Sequence, residues 1–267
     1  MTSNVYTHGH HESVLRSHRW RTAANSAGYL LPDLSAGMSV LDVGCGPGTI
    51  TADLAELVAP GRVTALERTG PALDLARAEV GRRGLDNVDF VVDDVHHLRF
   101  GDDSFDVVHA HQVLQHVADP VLALCEMRRV CRPGGTVAAR DGDYAAFTWY
   151  PQLPELDEWL ALYRSAARAN GGEPDAGRRL LAWARQAGFT DITPSASVWC
   201  HATRADREYW GGMWAERIVA SDLARQLVES GAATRADLDR VAAAWRAWAD
   251  DEDGWLSLLH GEIRCRA

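Results

Sequence analysis

From Val40 to about Val130 the apolar positions follow two alternating rhythms. Val40-Leu41-Asp42-Val43, Val63-Thr64-Ala65-Leu66-Glu67 and Val88-Asp89-Phe90-Val91-Val92-Asp93 are short, nearly continuous apolar runs, as in strands buried on both faces. Between them the spacing becomes helical. Ile50, Leu54, Leu57 and Val58 mark one helix face that stops at Pro60-Gly61, and Leu73, Ala76 and Val80 mark another within Pro71–Arg83, ended by Gly84. Asp119-Pro120, a cap residue followed by proline in the first turn, opens a third helix through Leu122, Glu126, Arg129 and Val130. This alternation predicts an α/β domain. Ahead of it, Val14, Leu15, Trp20, Ala23, Ala24, Ala27 and Leu31 recur at helical intervals, so one or two helices precede the first strand.

Beyond Pro151 the pattern changes. Nine of the ten tryptophans fall at or after Trp149, with Trp210 and Trp214, and Trp245 and Trp248, at helical spacing. Such rings mostly pack helices together, although Trp-rich helices beside a loop also suit an apolar or aromatic pocket. Asp175–Ala187 reads as a helix stopped by Gly188, Thr190–Cys200 as a strand, Ala205–Asp250 as a helical stretch and Trp255–Cys265 as a closing strand. The expected layout is N-terminal lid helices over residues 1–38, a core over 39–204 and 251–267, and a helical cap over 205–250. No internal repeat or linker interrupts it.

Composition narrows the chemistry. The chain has 267 residues and a formal net charge of −10, so no overall positive field would draw in nucleic acid. Lysine is absent, which removes Schiff-base chemistry and the lysine of a phosphate-binding Walker loop. Five scattered cysteines form no Cys-x-x-Cys pair, and reduced thiols of a cytoplasmic protein are expected. No apolar run is long enough to span a bilayer, so no membrane partner is expected. His8, His10, His11 and His18 cluster near the N-terminus without acids or cysteines at ligand spacing, and no metal is assigned.

The candidate chemistry centres on Asp42-Val43-Gly44-Cys45-Gly46-Pro47-Gly48-Thr49, where a buried strand breaks into a glycine loop and opens a helix. Without a Cβ the backbone can turn sharply and lie against a ligand. The spacing departs from the dinucleotide fingerprint Gly-x-Gly-x-x-Gly, whose third glycine is Thr49 here, which weighs against NAD. The stretch resembles motif I of the class I S-adenosylmethionine-dependent methyltransferases, nearest to the ubiquinone/menaquinone-biosynthesis-type small-molecule enzymes. Further motifs follow in order from about Ser39 to about Arg140, including Leu98–Val108 running into a fourth strand and Cys131-Arg132-Pro133-Gly134-Gly135 before a fifth, Thr136–Arg140.

That resemblance implies a Rossmann-like, doubly wound, mostly parallel seven-stranded sheet with S-adenosylmethionine as cofactor. It places Asp42, Gly44, Cys45 and Gly46 in the cofactor loop. Glu67, about 20 residues on at a strand end, is positioned for the ribose hydroxyls, beside Arg68. Asp94 is implied for the adenine amino group and Val95 for a ring nitrogen, with Asp93 one register away. His111 and Gln112 fall beside the sulfonium, with His116 as second choice to His111. Tyr6, Arg16 or Arg21 of the lid can reach the methionine carboxylate, where a guanidinium forks well. Tyr144 and Trp149 lie where relatives admit the acceptor, and Trp214 of the cap joins them as a substrate residue. A base is needed only for an acceptor that must lose a proton, and His111 and Asp141 are the candidates. The expected function is methyl transfer to a small apolar or aromatic metabolite. The alternatives are an NAD-dependent oxidoreductase or a non-catalytic cofactor-binding protein.

Overall fold

A computed structural model describes residues 20–267. Strands β1 (Val40–Val43), β2 (Val63–Glu67), β3 (Val88–Val92), β4 (Phe105–His111) and β5 (Cys131–Gly142) pair in parallel in the order β3-β2-β1-β4-β5. The long β8 (Trp255–Arg266) runs antiparallel along β5, and β7 (Ile192–His201) runs antiparallel along the other edge of β8.

Alternation along the strands explains the double winding. Val40, Val63, Val107 and Ala138 face one side, where they pack on Ile50, Leu54 and Val58 of a helix over Thr49–Val58. Leu41, Leu66, Val108, Ala110 and Val137 face the other, against Leu124, Met127 and Val130 of a helix over Pro120–Val130. A side-chain period of two sends neighbouring residues to opposite faces. Each run therefore had to be apolar throughout.

The seven expected strands are joined by an eighth, β6 (Thr148–Tyr150), inside the segment read as an acceptor loop. The cause is length: β8 extends past the end of β5, and Thr148–Tyr150 pairs with Ser257–Trp255 on the same edge. The strand expected at Thr136–Arg140 also starts earlier, because Cys131 already pairs with Phe105 before a register shift. The helix expected over Asp175–Ala187 is a 3-10 turn, Ala176–Arg179, followed by an α-helix, Leu180–Gln186. Gly177 lies so close to the sheet that a Cβ would come within 2.7 Å of the Gly261 nitrogen.

The stretch over Ala205–Asp250 resolves into three helices, Arg204–Ala220, Asp222–Glu229 and Arg235–Asp250, each introduced by a Ser or Thr cap residue. They share one apolar cluster with the helix over Pro154–Ala169 and with the rings around β6. Trp159 is at its centre, edge-on to Trp214 at 4.6 Å and Trp245 at 4.9 Å between ring centroids. The N-terminal segment docks across the top of β7. Trp20 packs edge-on to Trp199 and Trp210, and the Trp199 Nε1–H donates to the Asn25 carbonyl at 2.7 Å.

Candidate active site

Strand order reverses between β1 and β4, and both carboxyl ends open on the same crevice, where open α/β sheets bind ligands. The glycine loop after β1 forms one wall. Gly44, Gly46 and Gly48 all have positive φ, but for different neighbours. A Cβ at Gly44 would strike Val113 at 2.5 Å and one at Gly48 the Ala76 Cα at 2.7 Å, whereas Gly46 faces open space. Two of these glycines serve packing; the third presents bare backbone to the crevice. Below the loop, Asp42 is buried, accepting from Thr51 Oγ1 at 2.6 Å and His109 Nδ1 at 2.9 Å. It locks β1 to the following helix and to β4.

Glu67, at the end of β2, accepts from the Gly46 amide at 2.9 Å and the Arg68 amide at 3.1 Å, so its carboxylate lies at the loop's open face. Of the two adjacent acids after β3, Asp93 is folded back, accepting from the amides of Asp94 and Arg99. Asp94 is exposed and pairs with His96, whose contacts hold its carboxyl below the usual range despite partial burial. Val95 is buried and Arg68 exposed.

Across the crevice, β4 delivers His111 and Gln112. His111 is buried and neither ring nitrogen has a hydrogen-bond partner among the described residues. Burial pushes its pKa well below 6.5, and the positive charges of Arg21 and Arg140 add to the effect. The imidazole is neutral at pH 7. Gln112 has φ +53, which turns the chain off the strand, and its amide links two elements. Its Oε1 accepts from Arg21 at 2.6 Å while its Nε2 donates to His260 Nε2 at 2.8 Å. His260 Nδ1 faces the Leu258 carbonyl at 3.0 Å, so Nδ1 carries the proton and Nε2 accepts. Burial holds His260 neutral too.

A methyltransferase-domain family profile matches residues 34–226. An uncharacterized methyltransferase of Schizosaccharomyces pombe is 34% identical over 268 residues, covering 97% of this chain and 95% of that protein. The chain belongs to the methyltransferase family. A demethylmenaquinone methyltransferase of Lactococcus lactis is 35% identical over 121 residues, 45% of this chain and 48% of that one. Among solved structures, phosphoethanolamine N-methyltransferase 2 of Haemonchus contortus, in complex with phosphomonomethylethanolamine and S-adenosylhomocysteine, shares the fold with TM-score 0.53. It is 19% identical, over 86% of this chain and 49% of that chain.

S-adenosylmethionine is thus the methyltransferase's cofactor, and the crevice suits it: bare backbone at Gly46, a carboxylate at Glu67 for a diol, and an exposed acid at Asp94. Other expected residues are placed differently. Tyr6 and Arg16, like His8, His10, His11 and His18, lie outside the described residues. Arg21 donates to Gln112 just past the end of β4. Asp141 follows Arg140 on β5 and faces the opposite side of the sheet from His111, with Oδ1 accepting from the Gln115 amide at 3.1 Å. Burial pushes its carboxyl up to about 7. Tyr144 stacks on Tyr163 at 4.2 Å, and Trp149 and Trp214 pack around Trp159, so all three are interior rings of the Trp-rich cluster.

The methyltransferase's crevice also has a wall that the sequence reading missed. His260, Trp199, Arg140 and Glu262 come from β5, β7 and β8, with His260 and Trp199 ring centroids 4.3 Å apart. One signal was available: His260 and Glu262 stand two residues apart in the middle of the closing strand, on one face of it. Among the described residues no helix is long and apolar enough to cross a membrane.

Proposed function

We propose that the chain methylates a small, apolar or aromatic metabolite through a nucleophilic oxygen, nitrogen or activated carbon, with His111 as the group that meets its proton. The observation that carries this reading is the His111 ring: neutral, buried and without a hydrogen-bond partner, at the tip of the strand beside the glycine loop. When bound, S-adenosylmethionine supplies an electrophilic methyl carbon on a sulfonium. The protein's work is then alignment and exclusion of water. Gly44, Cys45 and Gly46 would support the nucleotide's methionine end, Glu67 its ribose, and Asp94 with the Val95 amide its adenine. Asp93 is engaged by its own loop and is the weaker adenine candidate.

A neutral imidazole has one acceptor nitrogen for an O–H or N–H. Because Arg21 and Arg140 disfavour an imidazolium, His111 would take the proton as methyl transfer proceeds rather than beforehand. Asp141 faces away, and its role here is to hold the turn after β4. Tyr144, Trp149 and Trp214 then shape the acceptor space from behind.

Methylated product from a panel of phenols, quinols and amines tests the reaction, and no turnover with these or with cell extracts would defeat it. His111→Ala tests the residue: kcat should fall by about 10²–10⁴-fold, the usual worth of a positioned base, with S-adenosylhomocysteine affinity within twofold. Unchanged turnover would remove His111 from the role.

A further inference from the structure

We propose that the free edge of the Arg140 guanidinium docks a carboxylate of the acceptor, so that the metabolite is a small acid with its nucleophilic atom about one ring's width from that group. The inference rests on the methyl-transfer reading above and adds the acceptor's class.

Arg140 stands near the end of β5, beside His111 in the β4–β5 ladder, and is 1% exposed. Its Nε donates to Ser197 Oγ at 3.1 Å and to Glu262 Oε1 at 3.2 Å, and its plane lies 4.6 Å from the Trp199 ring centre. These contacts fix the guanidinium in place. They leave Nη1 and Nη2 buried with no hydrogen-bond partner among the described residues.

Buried donors left open in this way are rare in folded proteins, and two parallel ones on a guanidinium match the two oxygens of a carboxylate. Glu262 does not complete that match. One of its oxygens takes Arg140 Nε and Ser197, and the other takes Ser195 Oγ at 2.7 Å. The Tyr29 hydroxyl, close enough for Arg140 and Glu262 to influence its ionisation, is also buried without a partner. It offers a third donor.

Charge points the same way. Burial first, and then the charges of Arg21 and Arg140, disfavour protonation of both His111 and His260, so both guanidinium charges are felt at this wall. Glu262 is the acid paired with Arg140, and Asp141 faces the other side of the sheet. Geometry sets the acceptor's size. Neighbouring strands lie about 4.8 Å apart, and the order is β1-β4-β5. His111 and the glycine loop follow Arg140 at successive strand spacings, so an acid held at Arg140 and reaching toward the glycine loop, where the methyl group must arrive, passes His111 on the way.

The test is calorimetric titration of the full chain, with and without saturating S-adenosylhomocysteine, using benzoate, salicylate and cinnamate and the methyl ester of each. At least one acid should bind ten or more times tighter than its ester. In Arg140→Gln this preference should disappear while S-adenosylhomocysteine affinity stays within twofold. The acid–ester comparison on the unmodified chain needs no variant, so a misfolded Arg140→Gln leaves it intact. Equal binding of acids and esters, no binding of any acid, or a preserved preference in folded Arg140→Gln overturns the proposal. Failure of the unmodified chain to bind S-adenosylhomocysteine would count against the methyl-transfer reading instead, and the nucleotide-free titration would still report on Arg140.

Discussion

The two sides of the crevice are built on different principles. The side proposed for the cofactor is local: Asp42, the glycine loop, Glu67 and Asp94 follow one another within three strand–helix units, and much of its surface is backbone. The side proposed for the acceptor is assembled from distant segments, Arg21, His111, Arg140, Trp199 and His260, joined by side-chain contacts such as Arg21–Gln112–His260. A local backbone cradle tolerates little variation and leaves a readable motif. A side-chain wall can change residue by residue on the same scaffold, which is how one fold comes to serve many acceptors.

The largest test of this division lies in the cap. Trp159→Ala removes a fully buried ring at the centre of the tryptophan cluster and should cost about 3–5 kcal/mol of stability, read by denaturant unfolding. S-adenosylhomocysteine affinity of the folded variant should be unchanged. A parallel loss of affinity would show that cap and cofactor side form one unit.

Gly48→Ala should destabilise by about 2–4 kcal/mol, combining a strained positive φ with a Cβ 2.7 Å from the Ala76 backbone. Thermal unfolding measures it, and a near-neutral result would mean that the loop and the Ala76 helix are not tightly fitted. Glu67→Ala should instead spare stability and weaken S-adenosylmethionine binding by about 1.5–3 kcal/mol, the range for a hydrogen bond to a charged group. Unchanged affinity in a titration would take Glu67 out of the ribose role.

The most gradual effect is one of pH. Asp141 stays protonated in the folded chain up to about pH 7, whereas an unfolded aspartate ionises near pH 4, at about 3.9. Between those values the folded state holds the extra proton, so this group's contribution to stability is full below the window and is lost as pH rises through it. His111 and His260, with lowered pKa values, act oppositely: the unfolded chain binds their protons more readily, and stability rises with pH toward 6.5. Asp141→Asn isolates the first effect. Relative to the parent, the variant should gain up to about 1.4 kcal/mol per pH unit between roughly pH 4 and 7. Unfolding curves of the two proteins that stay parallel across that range would show that Asp141 does not titrate there.

Legibility in the sequence followed the same divide. The strands from β1 to β3, the helices between them and the loop glycines could be read because each is specified by neighbours within a few residues, whereas β4 was legible through the family resemblance. Asp42 was readable as part of the loop motif, but not its bonds to Thr51 and His109, which depend on a helix and a strand coming alongside. Tyr144, Trp149 and Trp214 carried the composition of a pocket, yet they pack within the cap because the Pro154–Ala169 helix brings Trp159 and Tyr163 among them. Strand β6 was missed because a three-residue strand exists only where β8 offers it an edge.

By itself, then, the sequence determined the α/β alternation, the cofactor cradle and the acid at the end of β2, since these rest on local backbone geometry and short-range periodicity. Tertiary structure alone decided which polar residues are buried and what each one faces. It left His111 neutral, turned Asp141 to the opposite face and brought Arg140, Trp199 and His260 together, because desolvation and charge at a point depend on every segment that packs there.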